Sequence, residues 1–142
     1  MPIYTPVGAD SLVNTNTSDG QISQRVIALS GNRYMIVWVG AVTLPVVPSG
    51  NTIAGAYANA DIRAQIYNAD GTTSGGEIII NTTTAGGQLR PVVAELSDGN
   101  ILISWHDGVG PAGGSAETSS NTIRAQEFTS AGVVSGGEFV IG

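Results

Sequence analysis

The chain has 142 residues, 42% of them apolar and 11% charged, which is enough to bury one core and too apolar for a disordered tail. Eleven acids against five basic residues, all of them Arg, give a net charge of -6 and exclude sequence-independent nucleic-acid binding; no apolar run reaches the about 18 residues of a spanning helix. With no cysteine, there is neither a disulfide framework nor a thiolate metal site, so the core alone must hold a single domain.

Residues Met1–Pro6 lack the basic-then-apolar layout of a cleavable secretory signal, so export is expected to use another route. Beyond them the chain repeats itself. Val13–Trp38 aligns with Ile80–Trp105 at an offset of 67, pairing Asn14 with Asn81, Gln21 with Gln88 and Trp38 with Trp105. Ile62–Ile80 aligns with Ile123–Ile141 at an offset of 61, repeating Ile-Arg-Ala-Gln and Ser-Gly-Gly-Glu. The two offsets place a six-residue length difference in the intervening segments, about 39–61 and 106–122, which read as variable loops. Repeat 1 spans about 14–80 and repeat 2 about 81–142.

In chain order, Gly8–Asn14 falls on Gly75–Asn81 and predicts a leading strand. Arg25–Leu29 and Val92–Leu96 predict the first strand of each repeat, closed by Gly31-Asn32 or by Asp98-Gly99, a hairpin signal. The second strand alternates with period two: Tyr34, Ile36 and Trp38 share one face, as do Ile101, Ile103 and Trp105, with Met35, Val37, Leu102 and Ser104 on the other. The third strand is Ile62–Tyr67, with Ile62, Ala64 and Ile66 on one face, and its copy carries Ile123, Ala125 and Phe128. The fourth is Glu77–Ile80 and Glu138–Ile141, each entered through a Gly-Gly pair suited to a turn or bulge. No capped helical period appears. The expectation is an all-β fold of two four-stranded propeller-blade-like repeats plus an extra N-terminal strand, with a β-sandwich as the alternative.

The Asp-Gly-Asn turn, the Ile-x-Trp strand, Ile-Arg-Ala-Gln-x-Phe and Gly-Gly-Glu-Phe-Val-Ile together resemble a tandem β-repeat of large secreted bacterial adhesins and haemolysin-type calcium-binding proteins. The resemblance covers Gly8–Gly142 and implies a propeller-like stack and an extracellular, non-enzymatic role. Two copies and a start at Met1 suggest a smaller protein that reuses the unit, on a bacterial surface or a virus particle.

Two blades cannot close a ring, because closed propellers use about 4 to 8 and stacked repeats need about three. Covering about 600 Å² of apolar face would contribute on the order of 15 kcal/mol before association costs, so self-association into a ring or filament is expected. The segments expected to carry it are Ser11, Leu12 and Val13 in the leading strand, and Leu44, Val46 and Val47 in the first variable loop. The leading strand either adds to a neighbour's sheet or completes its own. The apolar loop either docks on a neighbour or folds back.

His106, the one histidine, precedes Asp107, but adjacent strand residues point to opposite faces and their counterparts are Val39 and Gly40. No catalytic triad spacing, zinc helix or phosphate loop is present, so no enzyme is expected. Trp38, Tyr57 and Trp105 could stack on sugars as a lectin-like module, although a repeated Trp on an Ile-x-Trp face reads first as core. Asp10, Glu77 and Glu138 recur at one position, and Arg63 and Arg124 at another. A structural Arg–Glu bridge is the expected use. Calcium binding is the alternative, and no other cofactor is expected.

Overall fold

The computed structural model describes residues 8–42, 57, 59–109 and 122–141. Eight strands form two antiparallel sheets: β1 (Gly20–Leu29), β2 (Arg33–Val42), β3 (Asp61–Tyr67) and β4 (Thr73–Ile79), then β5 (Gly87–Glu95), β6 (Ile101–Val109), β7 (Thr122–Phe128) and β8 (Val134–Ile141). Each sheet is a meander with its strands in sequence order, so sequence repeat and structural blade coincide. Among the described residues no helix is long and apolar enough to cross a membrane.

The strands reach further than their apolar runs. β1 begins at Gly20 rather than near Arg25, and register shifts between Gly20 and Ile22 and between Ile22 and Arg25 absorb the irregularity. β4 and β8 begin before their Gly-Gly pairs, which sit inside the strands as bulges with φ of 77° at Gly75 and 81° at Gly136. Gly8–Asn14, expected as a leading strand, enters no ladder among the described residues. Leu44, Val46 and Val47 lie outside the described residues.

Both faces of blade 1 are apolar, the outer face of blade 2 mixes Val92, Ile123 and Phe139 with Ser104, His106 and Glu127, and one face of each sheet is covered by the other blade. Blade 1 contributes Met35, Val37, Val39, Ile62, Ala64 and Ile66, all with no exposed surface. Blade 2 contributes Ile101, Ile103, Trp105 and Phe128, with Val93 and Leu89 packed against them. These two sets sit on opposite repeat faces. Ile101, Ile103 and Trp105 correspond to Tyr34, Ile36 and Trp38, which lie on the side of β2 turned away from blade 2. The blades therefore stack front to back, as successive units of an array do. In β7 the same rule sends Phe128 inward and leaves Ile123 half exposed.

Polar contacts cross the same junction. Ser30 N donates to both carboxylate oxygens of Glu95 at 3.0 and 2.9 Å, and an Arg33 guanidinium nitrogen donates to Ser130 O at 2.6 Å. The β7–β8 turn reaches blade 1 at Gly132, where a Cβ would stand 2.7 Å from Ile78 Cδ1 and 3.0 Å from Ile66 Cδ1. Its counterpart Gly71 has the same left-handed φ, 83° against 82°, and open space around it. Gly71→Ala should cost about 1 kcal/mol through backbone strain alone. Gly132→Ala should cost about 1–3 kcal/mol more by overpacking. Urea unfolding of both variants measures the difference, and equal losses would contradict the stacking described.

Candidate functional site

Among the described residues, each blade has one face that the other blade does not cover. On blade 1, Tyr34 and Tyr67 stack with ring centroids 4.8 Å apart and planes within 5°. Burial, with Tyr34 beside it, raises the Tyr67 phenol above its ordinary range. Val26 on the same face is 70% exposed. A cavity of about 270 Å³ opens here, lined by Val13, Asn14, Gln21, Ile22, Ile36 and Trp38 among others. On blade 2, Val92, Ile123 and Phe139 are 61%, 50% and 44% exposed. A second cavity, of about 260 Å³, lies between Arg90, Val92, Ser104, His106 and Ile123.

The expected Arg–Glu bridge is present in both blades and is part of a longer polar chain. In blade 2, Trp105 Nε1 donates to Gln88 Oε1 at 2.8 Å and Gln88 Nε2 donates to Asp107 Oδ1 at 2.9 Å. Arg124 Nε then donates to Asp107 Oδ2, and Arg124 Nη1 to Glu138 Oε1 at 3.0 Å. The hydrogen bond to Asp107 comes first among the interactions that raise the Arg124 pKa further. Glu138 Oε2 completes the chain by accepting from Thr82 N and Oγ1 at 2.7 and 2.8 Å and from Thr83 N at 3.2 Å. Blade 2 thus grips the segment through which blade 1 enters it.

Blade 1 repeats the grip without the middle. Arg63 Nη1 donates to Glu77 Oε1 at 2.6 Å, and Glu77 Oε2 accepts from Thr15 N and Oγ1 at 2.8 and 2.7 Å. Gly40 stands where blade 2 has Asp107, and the Arg63 side chain fills the space, 2.7 Å from where a Cβ would be. Gln21 turns instead to the carbonyls of Asn16 and Asp19. Trp38 Nε1, Gln21 Oε1 and Arg63 Nε are consequently buried without a partner among the described residues.

The other sequence-derived candidates separate. Ser11 and Leu12 are exposed, Leu12 to 72%, whereas Val13 is half-buried against the blade 1 cavity. Trp105 is 1% exposed and Trp38 3%, so both indoles are core rather than stacking platforms. Tyr57 is partly buried, with its carbonyl packed where a Cβ on Gly87 would be 2.1 Å away. Asp10 is exposed and enters no ion pair among the described residues. Among those residues no three His, Asp or Glu side chains gather to hold a metal ion. The buried roles of Gln88 and Asp107 had no sequence signal beyond the Gln21/Gln88 identity, because Asp107 is unmatched in repeat 1. Comparison with protein-family models, with curated proteins and with solved structures yields no match to this chain.

Two outcomes follow from the polar chain. Asp107→Ala strands Gln88 Nε2 and Arg124 Nε in the blade junction, and should lower the unfolding free energy by about 2–4 kcal/mol in denaturant titration. The second concerns acid. Burial opposes ionisation of Glu77 and Glu138, but hydrogen bonds outweigh it: from Thr15 and Arg63 to Glu77, and from Thr83 and Thr82 to Glu138. Both pKa values therefore fall below their ordinary 4.5. A depressed carboxyl pKa means that the unfolded chain takes up protons first as the pH falls. Its contribution is complete above about 4.5 and is lost as the pH drops below that through the folded-state values. Melting curves over roughly pH 6 to 3 should show a shallower acid slope for Glu138→Gln than for the parent chain.

Proposed function

We propose that this chain is a non-enzymatic structural unit that assembles head to tail with copies of itself, through the same front-to-back stacking that joins its two blades. One observation carries the reading. The open face of blade 1 is the repeat counterpart of the face that blade 2 buries, and the open face of blade 2 is the counterpart of the face that blade 1 buries. Tyr34, Ile36 and Trp38 stand for Ile101, Ile103 and Trp105, while Leu102, Ser104 and His106 stand for Met35, Val37 and Val39. A second copy presents the complementary surface by construction. Such an interface joins two different patches, so it propagates into a ring where the rotation closes and a filament where it does not.

The junction between copies is weaker than the one within the chain. Val37, Val39 and Ile66 are replaced at the open face of blade 2 by Ser104, His106 and Glu127, and less apolar area is removed from water. Reversible, concentration-dependent assembly follows. The resemblance to secreted tandem repeats supports an extracellular setting, on a cell surface or a virus particle. A sugar-binding role has less support, since both indoles are buried.

Sedimentation velocity over a concentration series tests the reading. The parent chain should form oligomers, and Val26→Glu or Val92→Glu, each on one open face and 70% and 61% exposed, should return it to monomer with its melting point preserved. A parent chain that stays monomeric at every concentration would overturn the proposal.

A further inference from the structure

Resting on that reading, we infer that the junction between copies is keyed by the one histidine: His106 of one copy enters the blade 1 cavity of the next and accepts a hydrogen bond from the indole N–H of Trp38.

The intrachain junction supplies the template. There Gln88 N donates to Ala60 O at 2.8 Å, which sets the start of β5 against the corner where β3 begins and Val39 lies opposite Ile62. The Gln88 side chain accepts the Trp105 indole N–H at 2.8 Å. Val39, with no exposed surface, is thereby placed at the Trp105–Gln88 corner of blade 2. Both members of that contact are satisfied: an apolar side chain meets an indole whose N–H is already bonded.

Between copies both members change. His106 is the counterpart of Val39. It lies opposite Ile123 in its sheet, as Val39 lies opposite Ile62, and lines the cavity on the uncovered face of blade 2. Trp38 and Gln21 are the counterparts of Trp105 and Gln88, and both line the cavity of about 270 Å³ on the uncovered face of blade 1. Stacking a second copy by the operation that relates the two blades sets these cavities against each other, with His106 at the Trp38–Gln21 corner.

The hydrogen-bonding inventory changes in step. Gln21 directs its amide nitrogen to the carbonyls of Asn16 and Asp19, and Trp38 Nε1 and Gln21 Oε1 are both buried without a partner among the described residues. Trp38 is itself only 3% exposed. A buried N–H left unpaired costs free energy until an acceptor reaches it. A neutral imidazole carries one acceptor nitrogen and one N–H. It accepts from Trp38 Nε1 and donates to Gln21 Oε1, the two positions that blade 2 pairs with each other. The polar residue thus stands where the indole is orphaned, and the apolar one where it is satisfied.

With two indoles and one histidine in the chain, the contact can be read directly. In NMR spectra of nitrogen-labelled protein, one of the two indole N–H signals should move as the concentration rises and should stay fixed in His106→Val. In sedimentation velocity, His106→Val should weaken self-association about ten-fold or more with the melting point preserved, although it restores the residue of the intrachain junction. Plain apolar stacking makes the opposite prediction, because valine gains more than histidine from leaving water. A parent chain that assembles and responds to Val26→Glu and Val92→Glu, yet associates no more tightly than His106→Val or shows no moving indole signal, would overturn the histidine key and leave the stacking intact. A parent chain that never assembles would overturn both.

Discussion

Each sheet in this molecule has an apolar side that packs against the other sheet, and a four-stranded sheet of that kind is stable in water only when that side is covered. Burial of Met35, Val37, Ile62 and Ile66 against Ile101, Ile103, Trp105 and Phe128 meets that need for one side of each blade. Every other feature follows from the side left over. The stacked Tyr34 and Tyr67, the exposed Val26 and Val92 and the two shallow cavities lie on that remaining side.

The polar groups give that packing its order. A purely apolar contact between flat sheets would allow sliding, whereas Glu77 and Glu138 each fix one short threonine-bearing segment at one place on the blade. The grips are charge-assisted and shielded, so they set register more than they add net stability. Blade 2 carries the full chain from Trp105 to Glu138, and blade 1 breaks it at Gly40. The two blades are thus alike in outline and unlike in polar connection, the interrupted chain lying in the blade that carries the Tyr34–Tyr67 stack.

Much of this was legible in the residues. The ten identities between Val13–Trp38 and Ile80–Trp105 gave the doubling, the Ile-Arg-Ala-Gln and Gly-Gly-Glu blocks gave the third and fourth strands, and the paired recurrence of Arg and Glu gave the bridge. What could not be read was which side of β2 and β6 faces inward. Period-two alternation assigns an interior only when one face is polar, and here Tyr34-Ile36-Trp38 and Met35-Val37-Val39 are equally apolar. The repeat suggested one answer for both blades, while front-to-back stacking requires opposite answers. Gly8–Asn14 misled for a related reason: it matches the outer strand β4 in sequence, yet enters no ladder among the described residues.

The long connections lead to a different kind of consequence. Eighteen residues separate Val42 from Asp61 and twelve separate Val109 from Thr122, yet the pairing of β2 with β3 and of β6 with β7 keeps the same seven-step register in both blades. Length at that corner is decoupled from the architecture, since loop closure grows only slowly in cost as residues are added. Added residues at that corner therefore leave the pairing of β2 with β3 and of β6 with β7 in place, a hinge-like freedom of length held between two fixed rails.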